Sequence, residues 1–251
     1  MTRDETTKKS IQQTAEPGDL LSLNILNETE IQLSWIPAGE FTMGSSEQEQ
    51  GHEAEESPRH RVRFNKGFYM GRFTITVEQW NVIMEQKRDG QDDEPAVMVS
   101  WTQAMELAGK LTGIVKGWKF DLPAEAQWEY ACRAGSNTRF SDGDSEEVLA
   151  RSAWYAANSS GHSHPAGQKA PNKWNFYDMQ GNVFEWCRDW EGPYVEGEQI
   201  DPKGSKIGQK RILRGGCFKC PPQYCRCANR YSALPEHKNI NIGFRVIATK
   251  D

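Results

Sequence analysis

The sequence predicts one irregular α+β domain with little regular secondary structure. Its 251 residues, of which 37% are hydrophobic, are enough to bury a core of substantial size. Nine tryptophans and twenty-two glycines accompany only short helical patterns, and the sequence has no long periodic helix. This combination favours a single loop-rich domain.

The net charge argues against nucleic acid as a partner, and the hydropathy argues against a membrane-spanning segment or a signal peptide. The formal net charge of -5 gives no overall electrostatic footprint for nucleic acid or an anionic membrane. The first residues lack the apolar run of roughly 7 to 15 residues that a secretory signal needs, and no later stretch approaches the roughly 18 apolar residues of a membrane helix. We therefore predict a partner other than nucleic acid, with no membrane-spanning segment and no signal peptide in the chain as given.

The N-terminal part of the sequence is expected to divide into a leader and the domain. Residues 1–28 are polar and charged, without a period that would bury one face, and we predict a flexible leader there. A single domain is expected over residues 29–251. Its first strand is predicted where Ile31, Leu33 and Trp35 alternate with polar residues.

Two different segments follow this strand. Residues 45–60 carry seven acidic or amide side chains and no large apolar residue, which predicts a solvated loop. Residues 60–76, "HRVRFNKGFYMGRFTIT", predict one or two further strands.

Three short amphipathic helices are predicted in the middle of the chain. Thr76 and Gln79 form a capping box for the first helix, and apolar residues three to four positions apart predict a second helix that stops at Gly113. Pro123 suits the first position of the third helix, and Gly135 suits its C-terminal cap. The predicted helices span residues 77–86, 101–113 and 123–134.

Seven sequence blocks, in order, resemble the formylglycine-generating enzyme, or sulfatase-modifying factor, family. They include "WIPAGEFTMGS", "LPAEAQWEYACRAG", "NFYDMQGNVFEWCRDW", "ILRGGCF" and "NIGFRV", and the resemblance covers about residues 30–247. It implies a C-type lectin-like fold of the formylglycine-generating enzyme type, in which the C-terminal segment forms the functional surface. The family contains both oxygen-using enzymes and proteins that display a variable surface, so the fold alone does not choose a function.

The enzymatic alternative depends on two cysteines. Cys220 and Cys225 match the copper-binding pair of the enzymes in spacing, and soft thiolates suit Cu(I). The resemblance would then imply a copper-dependent oxidase that converts a sulfatase cysteine to formylglycine. Counting back from "NIGFR", however, the segment is about three residues shorter than in the enzymes, and Cys217 stands where they usually have serine.

The remaining cysteines have their own interpretations. Cys132 and Cys227 occupy places where the resemblance implies a disulfide in some exported members. The simpler interpretation is that Cys132 is a small buried residue on its helix. Cys187, between Trp186 and Trp190, is expected in the core.

The C-terminal segment most closely resembles the variable proteins of diversity-generating retroelements. In those proteins, randomised adenines of AAC codons yield residues such as Asn, Tyr, Ser, Ala, Leu, His, Ile, Pro and Cys, and AGC codons can yield Cys. Residues 217–241 contain many such residues without a strand or helix period. The predicted ligand-binding residues are Cys217, Phe218, Cys220, Pro221, Pro222, Tyr224, Cys227, Tyr231, Ser232, Ala233, Leu234, His237, Asn239, Ile240 and Asn241.

We expect these side chains to bind a protein ligand as antibody loops do. Tyr224, Tyr231, Phe218 and Leu234 are the candidate anchors, and polar neighbours supply adaptable contacts. Phe218 and Ile240 have the alternative of packing inward. The function predicted first is a ligand-binding display protein, and the resemblance implies export or presentation at the cell surface.

Two further places could hold a metal. The turn "YDMQGNVFEW" resembles the calcium-binding turn of the family, which implies the ligands Asp178, Gly181, Val183 and Glu185 for a structural calcium ion. His162 and His164 have a possible metal-binding spacing, but they lie in a Gly/Ser/Pro loop without an evident third ligand, so we expect a solvated loop there.

Overall fold

The computed structural model describes residues 15–250, and this range contains twelve strands and four α-helices. The strands are β1 (Leu20–Leu26), β2 (Thr29–Ile36), β3 (Gly39–Met43), β4 (His60–Phe64), β5 (Phe68–Gly71), β6 (Trp118–Asp121), β7 (Phe184–Trp190), β8 (Gln199–Ile200), β9 (Arg211–Arg214), β10 (Tyr231–Ala233), β11 (Ile242–Gly243) and β12 (Ile247–Lys250). The helices are α1 (Val77–Met84), α2 (Trp101–Ile114), α3 (Glu125–Arg133) and α4 (Glu146–Ser152). No helix in the described range has both the length and the apolar character needed to cross a membrane.

Three small sheets organise these elements. The largest has the strand order β1-β2-β5-β12-β6, the second has the order β10-β9-β7-β11, and the third has the order β3-β4-β8. Helix α2 packs against β6 and β1, while α3 packs against β3, β7 and β9. The core includes fully buried Trp80, Trp128 and Trp186. Short elements joined by long loops confirm the irregular α+β fold that the sequence predicts.

The N-terminal hairpin corrects the predicted leader. Residues 15–28 of that leader are described, and they include β1, which pairs antiparallel with β2. Asn27 and Glu28 both have positive φ, as a tight two-residue hairpin turn requires. The alternation of Leu21, Leu23 and Ile25 was a strand signal, because these side chains face the core. Residues 1–14 lie outside the described part of the chain.

The predicted helices are close to those observed. Thr76 and Gln79 form the expected capping box at the start of α1, and α2 ends one residue beyond Gly113. Pro123 precedes α3 instead of opening it, because residue 124 is the N-cap. No sequence pattern predicted α4, since only Leu149 of its seven residues is buried.

A pair of glycines lets the C-terminal segment fold back on itself. Gly215 and Gly216 follow β9 with φ values of +96° and +74°. A Cβ atom on Gly216 would lie 2.6 Å from the carbonyl oxygen of Tyr224 and 2.9 Å from Sγ of Cys225. Only glycine fits this combination of positive φ and close approach, so Gly216 allows the chain to pack directly against Tyr224 and Cys225.

A buried ion pair connects the C-terminal segment to the acidic segment at residues 45–60. The guanidinium of Arg226 donates to both carboxylate oxygens of Glu56, at 2.7 and 2.5 Å, and to Oε1 of Glu49 at 2.9 Å. Burial opposes ionisation of Glu56, but hydrogen bonds from Arg226 and Ser45 outweigh it and lower the pKa of Glu56. The prediction of a solvated loop is therefore wrong here, because Glu56 is fully buried.

A second buried cluster fixes the following residues. Arg214 donates to the carbonyl oxygens of Cys227, Ala228 and Asn229 at 2.8 Å, and to Oε2 of Glu129 at 2.5 Å. Because Arg214 and Glu129 are both fully buried, the guanidinium has no access to water and depends on these partners. This one side chain sets the backbone path of three successive residues.

Two more arginines attach the C-terminal part of the chain to glutamates of earlier elements. Arg230 donates to both oxygens of Glu125, at 2.7 and 2.9 Å. Arg245 donates to both oxygens of Glu185, at 2.7 and 2.6 Å. Paired, planar contacts of this kind fix orientation as well as charge.

Loss of the Glu56 charge should destabilise the domain. Glu56→Gln leaves Arg226 buried with only the more distant support of Glu49, so we expect the free energy of unfolding to fall by about 3 kcal/mol in urea denaturation. The matched control is Glu40→Gln, which removes an exposed partner of Arg61 and should have a far smaller effect. Equal losses in the two variants would contradict the structural role of the buried pair.

Candidate functional site

A cavity of about 970 Å³ opens at the second sheet, beneath the C-terminal segment. We call it the C-terminal cavity. Its walls come from three parts of the chain: the acidic segment, the strand β7 with the turn after it, and residues 212–242. The lining residues are Glu53, Ala54, Glu55, Ser57, Phe184, Glu191, Gly192, Pro193, Ile212, Cys220, Tyr224, Asn229, Arg230, Tyr231, Ser232, His237, Asn239, Asn241 and Ile242.

One wall of the cavity is aromatic. The rings of Phe184 and Tyr231 are stacked with centroids 5.2 Å apart, and 55% of Tyr231 remains exposed. Strand β10 positions Tyr231 by pairing antiparallel with β9. The wall thus presents an apolar surface on a strand whose backbone is already fixed.

The loop after β10 is held by backbone hydrogen bonds to other elements. The N–H of Trp101 donates to the carbonyl oxygen of Pro235 at 2.8 Å, and the N–H of Met98 donates to that of Asn239 at 3.0 Å. The N–H of Phe184 donates to the carbonyl oxygen of Asn241 at 2.8 Å. These three bonds are made by main-chain atoms and do not depend on the side chains at residues 235, 239 and 241. Two side chains of the loop add contacts of their own, because Glu236 accepts a hydrogen bond from Thr102 and Asn241 donates one to Sγ of Cys217.

The structure brings together seven of the fifteen predicted ligand-binding residues. Those that line the C-terminal cavity are Cys220, Tyr224, Tyr231, Ser232, His237, Asn239 and Asn241. Pro221, Leu234 and Ile240 are exposed outside the lining, and Pro222 and Ala233 are partly buried. Ile240 is 50% exposed, so it does not take its alternative of packing inward.

Three predicted surface residues are corrected by the structure. Cys217, Phe218 and Cys227 are 1%, 2% and 0% exposed, respectively. The turn after Gly216 places Cys217 and Phe218 under the surface, where the Phe218 N–H donates to the Asn182 carbonyl oxygen at 2.9 Å. Side chains this deeply buried cannot contact a ligand without rearrangement.

Three carboxylates also line the cavity, and sequence reasoning missed them. Glu53, Glu55 and Glu191 line the cavity, and Glu191 accepts a hydrogen bond from Ser232 Oγ at 2.5 Å. Burial, and secondarily the neighbouring charge of Glu56, raise the pKa of Glu53. The sequence feature that could have indicated Glu53 and Glu55 was the acidic segment, whose charge complements the arginines of the C-terminal segment.

The cysteines of the C-terminal segment have different environments. Sγ of Cys220 lies 3.1 Å from Sγ of Cys217, whereas Cys225 is fully buried, and burial raises its pKa. Cys220 lines the cavity and Cys225 does not. The predicted copper pair is thus not the pair of sulfurs that this structure brings into contact.

The other cysteines lie in the core. Cys132 and Cys227 are free thiols with their sulfurs 3.6 Å apart, so the fold brings together the two residues for which the resemblance implied a disulfide. Cys187 is fully buried, as expected.

The predicted calcium ligands fit only in part. Asp178 is buried with Oδ1 unpartnered, and burial raises its pKa to about 6. Glu185 does not fit, because its oxygens accept hydrogen bonds from Arg245 and from Nε1 of Trp128, the latter at 2.7 Å. A divalent cation at this carboxylate would lie against a guanidinium. Calcium remains a prediction, and Asp178 is the one acidic ligand with a free oxygen.

His162 and His164 lie in a loop, as the sequence predicts. His164 stacks on Trp154 at 3.8 Å between centroids, and His162 lies 4.5 Å from His164. Within residues 15–250, no group of three or more His, Cys, Asp or Glu side chains is arranged to hold a metal ion.

Comparison with known proteins finds a matching family and proteins of similar sequence. Residues 25–250 match the family described as sulfatase-modifying factor enzyme 1-like domain. The chain is 35% identical over 178 residues to the formylglycine-generating enzyme of Streptomyces coelicolor, covering 62% of this chain and 53% of that protein. It is 31% identical over 243 residues to the serine/threonine-protein kinase pkn1 of Chlamydia pneumoniae, covering 84% and 36%, respectively. The chain thus spans about half of the length of the first relative and about a third of the length of the second.

Solved structures agree on the fold. PvdO from Pseudomonas aeruginosa superposes with a TM-score of 0.82 at 27% identity, covering 93% of this chain and 98% of that chain. Treponema denticola variable protein 1 superposes with a TM-score of 0.81 at 23% identity, covering 91% and 98%. These similarities confirm the C-type lectin-like fold that the sequence resemblance implies.

Proposed function

We propose that this chain, which belongs to the sulfatase-modifying factor enzyme 1-like domain family, binds a protein ligand on the surface formed by the exposed side chains within residues 217–241. The C-terminal cavity and the exposed residues around it form the binding site. The observation that carries this proposal is the loop at residues 234–241, whose backbone is fixed while its side chains remain exposed.

The exposed side chains have the character of a binding surface. Tyr231, Leu234 and Ile240 are 55%, 59% and 50% exposed, and Tyr224 is 39% exposed. Large apolar side chains exposed together beside a cavity are typical of protein interaction sites. Tyrosine supplies a large contact area at a low cost in conformational entropy, which makes Tyr224 and Tyr231 suitable anchors.

The division of the segment into buried and exposed residues also allows the exposed side chains to be replaced by others. Arg226, Ala228 and Asn229 are buried and hold the backbone, whereas Leu234, His237 and Ile240 contribute mainly exposed side chains. Such a division is compatible with a segment that is diversified at the gene level, because new side chains at the exposed positions leave the buried contacts unchanged. Carboxylates that line the cavity favour a ligand that presents basic groups.

A second candidate is a copper-dependent formylglycine-generating oxidase. Two observations favour it: Cys220 lines the cavity, and the chain is 35% identical to an enzyme of that name over 62% of its length. Two thiolates could hold Cu(I), which would supply the oxygen chemistry. The contact between Cys220 and Cys217 and the complete burial of Cys225 count against Cys220 and Cys225 as the copper-binding pair.

Selection from a random peptide library displayed on phage tests the ligand-binding proposal. We expect enriched peptides to bind the immobilised protein, and Tyr231→Ala to weaken that binding at least tenfold in fluorescence titration, since central aromatic anchors dominate binding energy. The matched control is Ile207→Ala, because Ile207 is 82% exposed but does not line the cavity. Failure to enrich any peptide, or equal affinity for wild type and Tyr231→Ala, would count against the proposal.

Cu(I) titration of the fully reduced protein separates the two candidates. We expect Cys225→Ser to bind Cu(I) as the wild type does, because Cys225 is fully buried and does not line the cavity. Tight one-to-one binding that is lost in both Cys220→Ser and Cys225→Ser would establish the copper pair and overturn the ligand-binding proposal.

A further inference from the structure

Cys217 and Cys220 lie at the two ends of a tight turn in the wall of the C-terminal cavity. The N–H of Cys220 donates to the carbonyl oxygen of Cys217 at 2.8 Å, so residues 217–220 form a hydrogen-bonded β-turn. The two sulfurs are 3.1 Å apart. A disulfide has a sulfur–sulfur distance of about 2.05 Å and needs Cα atoms within about 7 Å, a condition that a β-turn meets.

We propose that Cys217 and Cys220 form a reversible dithiol/disulfide couple that small organic disulfides oxidise through the C-terminal cavity. The couple does not depend on the proposed ligand binding, since it rests on the two sulfurs and their access to solvent.

Access to the cavity distinguishes this pair from the other cysteines. Cys220 lines the cavity and is 9% exposed, with Cys217 directly behind it at 1%. Cys132, Cys187, Cys225 and Cys227 are 0% exposed. Cys132 and Cys227 have a comparable sulfur separation of 3.6 Å, so they form an internal control for proximity without access. A reagent that enters from solvent should therefore reach Cys220 first.

The surroundings of the pair favour a reactive thiolate. The Cys220 thiol lowers the pKa of Cys217 to about 6 by hydrogen bonding, and Nδ2 of Asn241, 3.3 Å from Cys217 Sγ, contributes in the same direction. The same hydrogen bond raises the pKa of Cys220, so the negative charge lies mainly on Cys217 and reaches Cys220 when the shared proton crosses between the two sulfurs. The thiolate is the form that attacks a disulfide.

The reaction balances with one small disulfide as oxidant. The proton moves to Cys217, and the Cys220 thiolate attacks the entering disulfide, forming a mixed disulfide and releasing one small thiolate. Cys217, after losing its proton to water, attacks Sγ of Cys220 and expels the second small thiolate. Both thiolates leave as thiols once protonated. Two protein thiols are oxidised to one disulfide, and the small disulfide is reduced to two thiols.

Trypsin mapping tests the couple directly, because Lys219 lies between the two cysteines. Cleavage after Arg214, Lys219 and Arg226 gives the peptides 215–219 and 220–226. After incubation of folded protein with oxidised glutathione and alkylation of the remaining thiols, we expect these peptides to be disulfide-linked in the wild type and in Cys225→Ser, but not in Cys220→Ser. A reductant should reverse the link.

A further variant makes the test independent of how well Cys220→Ser folds. In Cys217→Ser, made together with Cys225→Ser because Cys225 also acts electrostatically on Cys220, neither neighbouring thiol can make the second attack, so we expect a stable glutathione adduct on Cys220. The proposal is overturned if the wild type forms no link between these peptides, if the link persists in Cys220→Ser, or if Cys132 and Cys227 become oxidised first.

Discussion

Three buried arginines and one largely buried arginine hold the C-terminal segment against the rest of the domain, and the remaining features of the site depend on them. Arg214, Arg226, Arg230 and Arg245 are bonded to glutamates that precede them by 60 to 170 residues. Each charge is costly to bury alone, but it is tolerated when paired and hydrogen-bonded. The pairs therefore act mainly as constraints on position, because the segment cannot shift without leaving a buried charge unpaired.

This constraint separates the scaffold from the surface. Guanidinium groups and backbone hydrogen bonds fix most of the path of residues 226–241. Among the exposed side chains on that path, Glu236 also bonds to Thr102, whereas Leu234, His237 and Ile240 are free to be exchanged. A rigid backbone with exchangeable side chains is what a diversified binding surface requires. The same segment places Cys217 and Cys220 in contact at the cavity wall, so a site with its own redox chemistry lies beside the proposed ligand surface.

Local sequence signals predicted the parts of the fold that local interactions determine. The capping box of Thr76 and the alternation before Trp35 led to α1 and β2, and the block pattern led to the fold class. Features that depend on distant partners were not predictable in this way. The acidic segment looked solvated because Glu56 has its partner 170 residues later, and Glu185 looked like a metal ligand because nothing local reveals Arg245.

The most direct test of this account is urea unfolding of a variant with four exposed residues replaced together. The substitutions are Tyr224→Asn, Leu234→Asn, His237→Asn and Ile240→Asn, at positions that the structure shows exposed. If buried pairs and backbone bonds hold the segment, the free energy of unfolding should stay within about 2 kcal/mol of the wild-type value. Loss of cooperative unfolding would show that these side chains support the fold, and would contradict the separation of scaffold from surface.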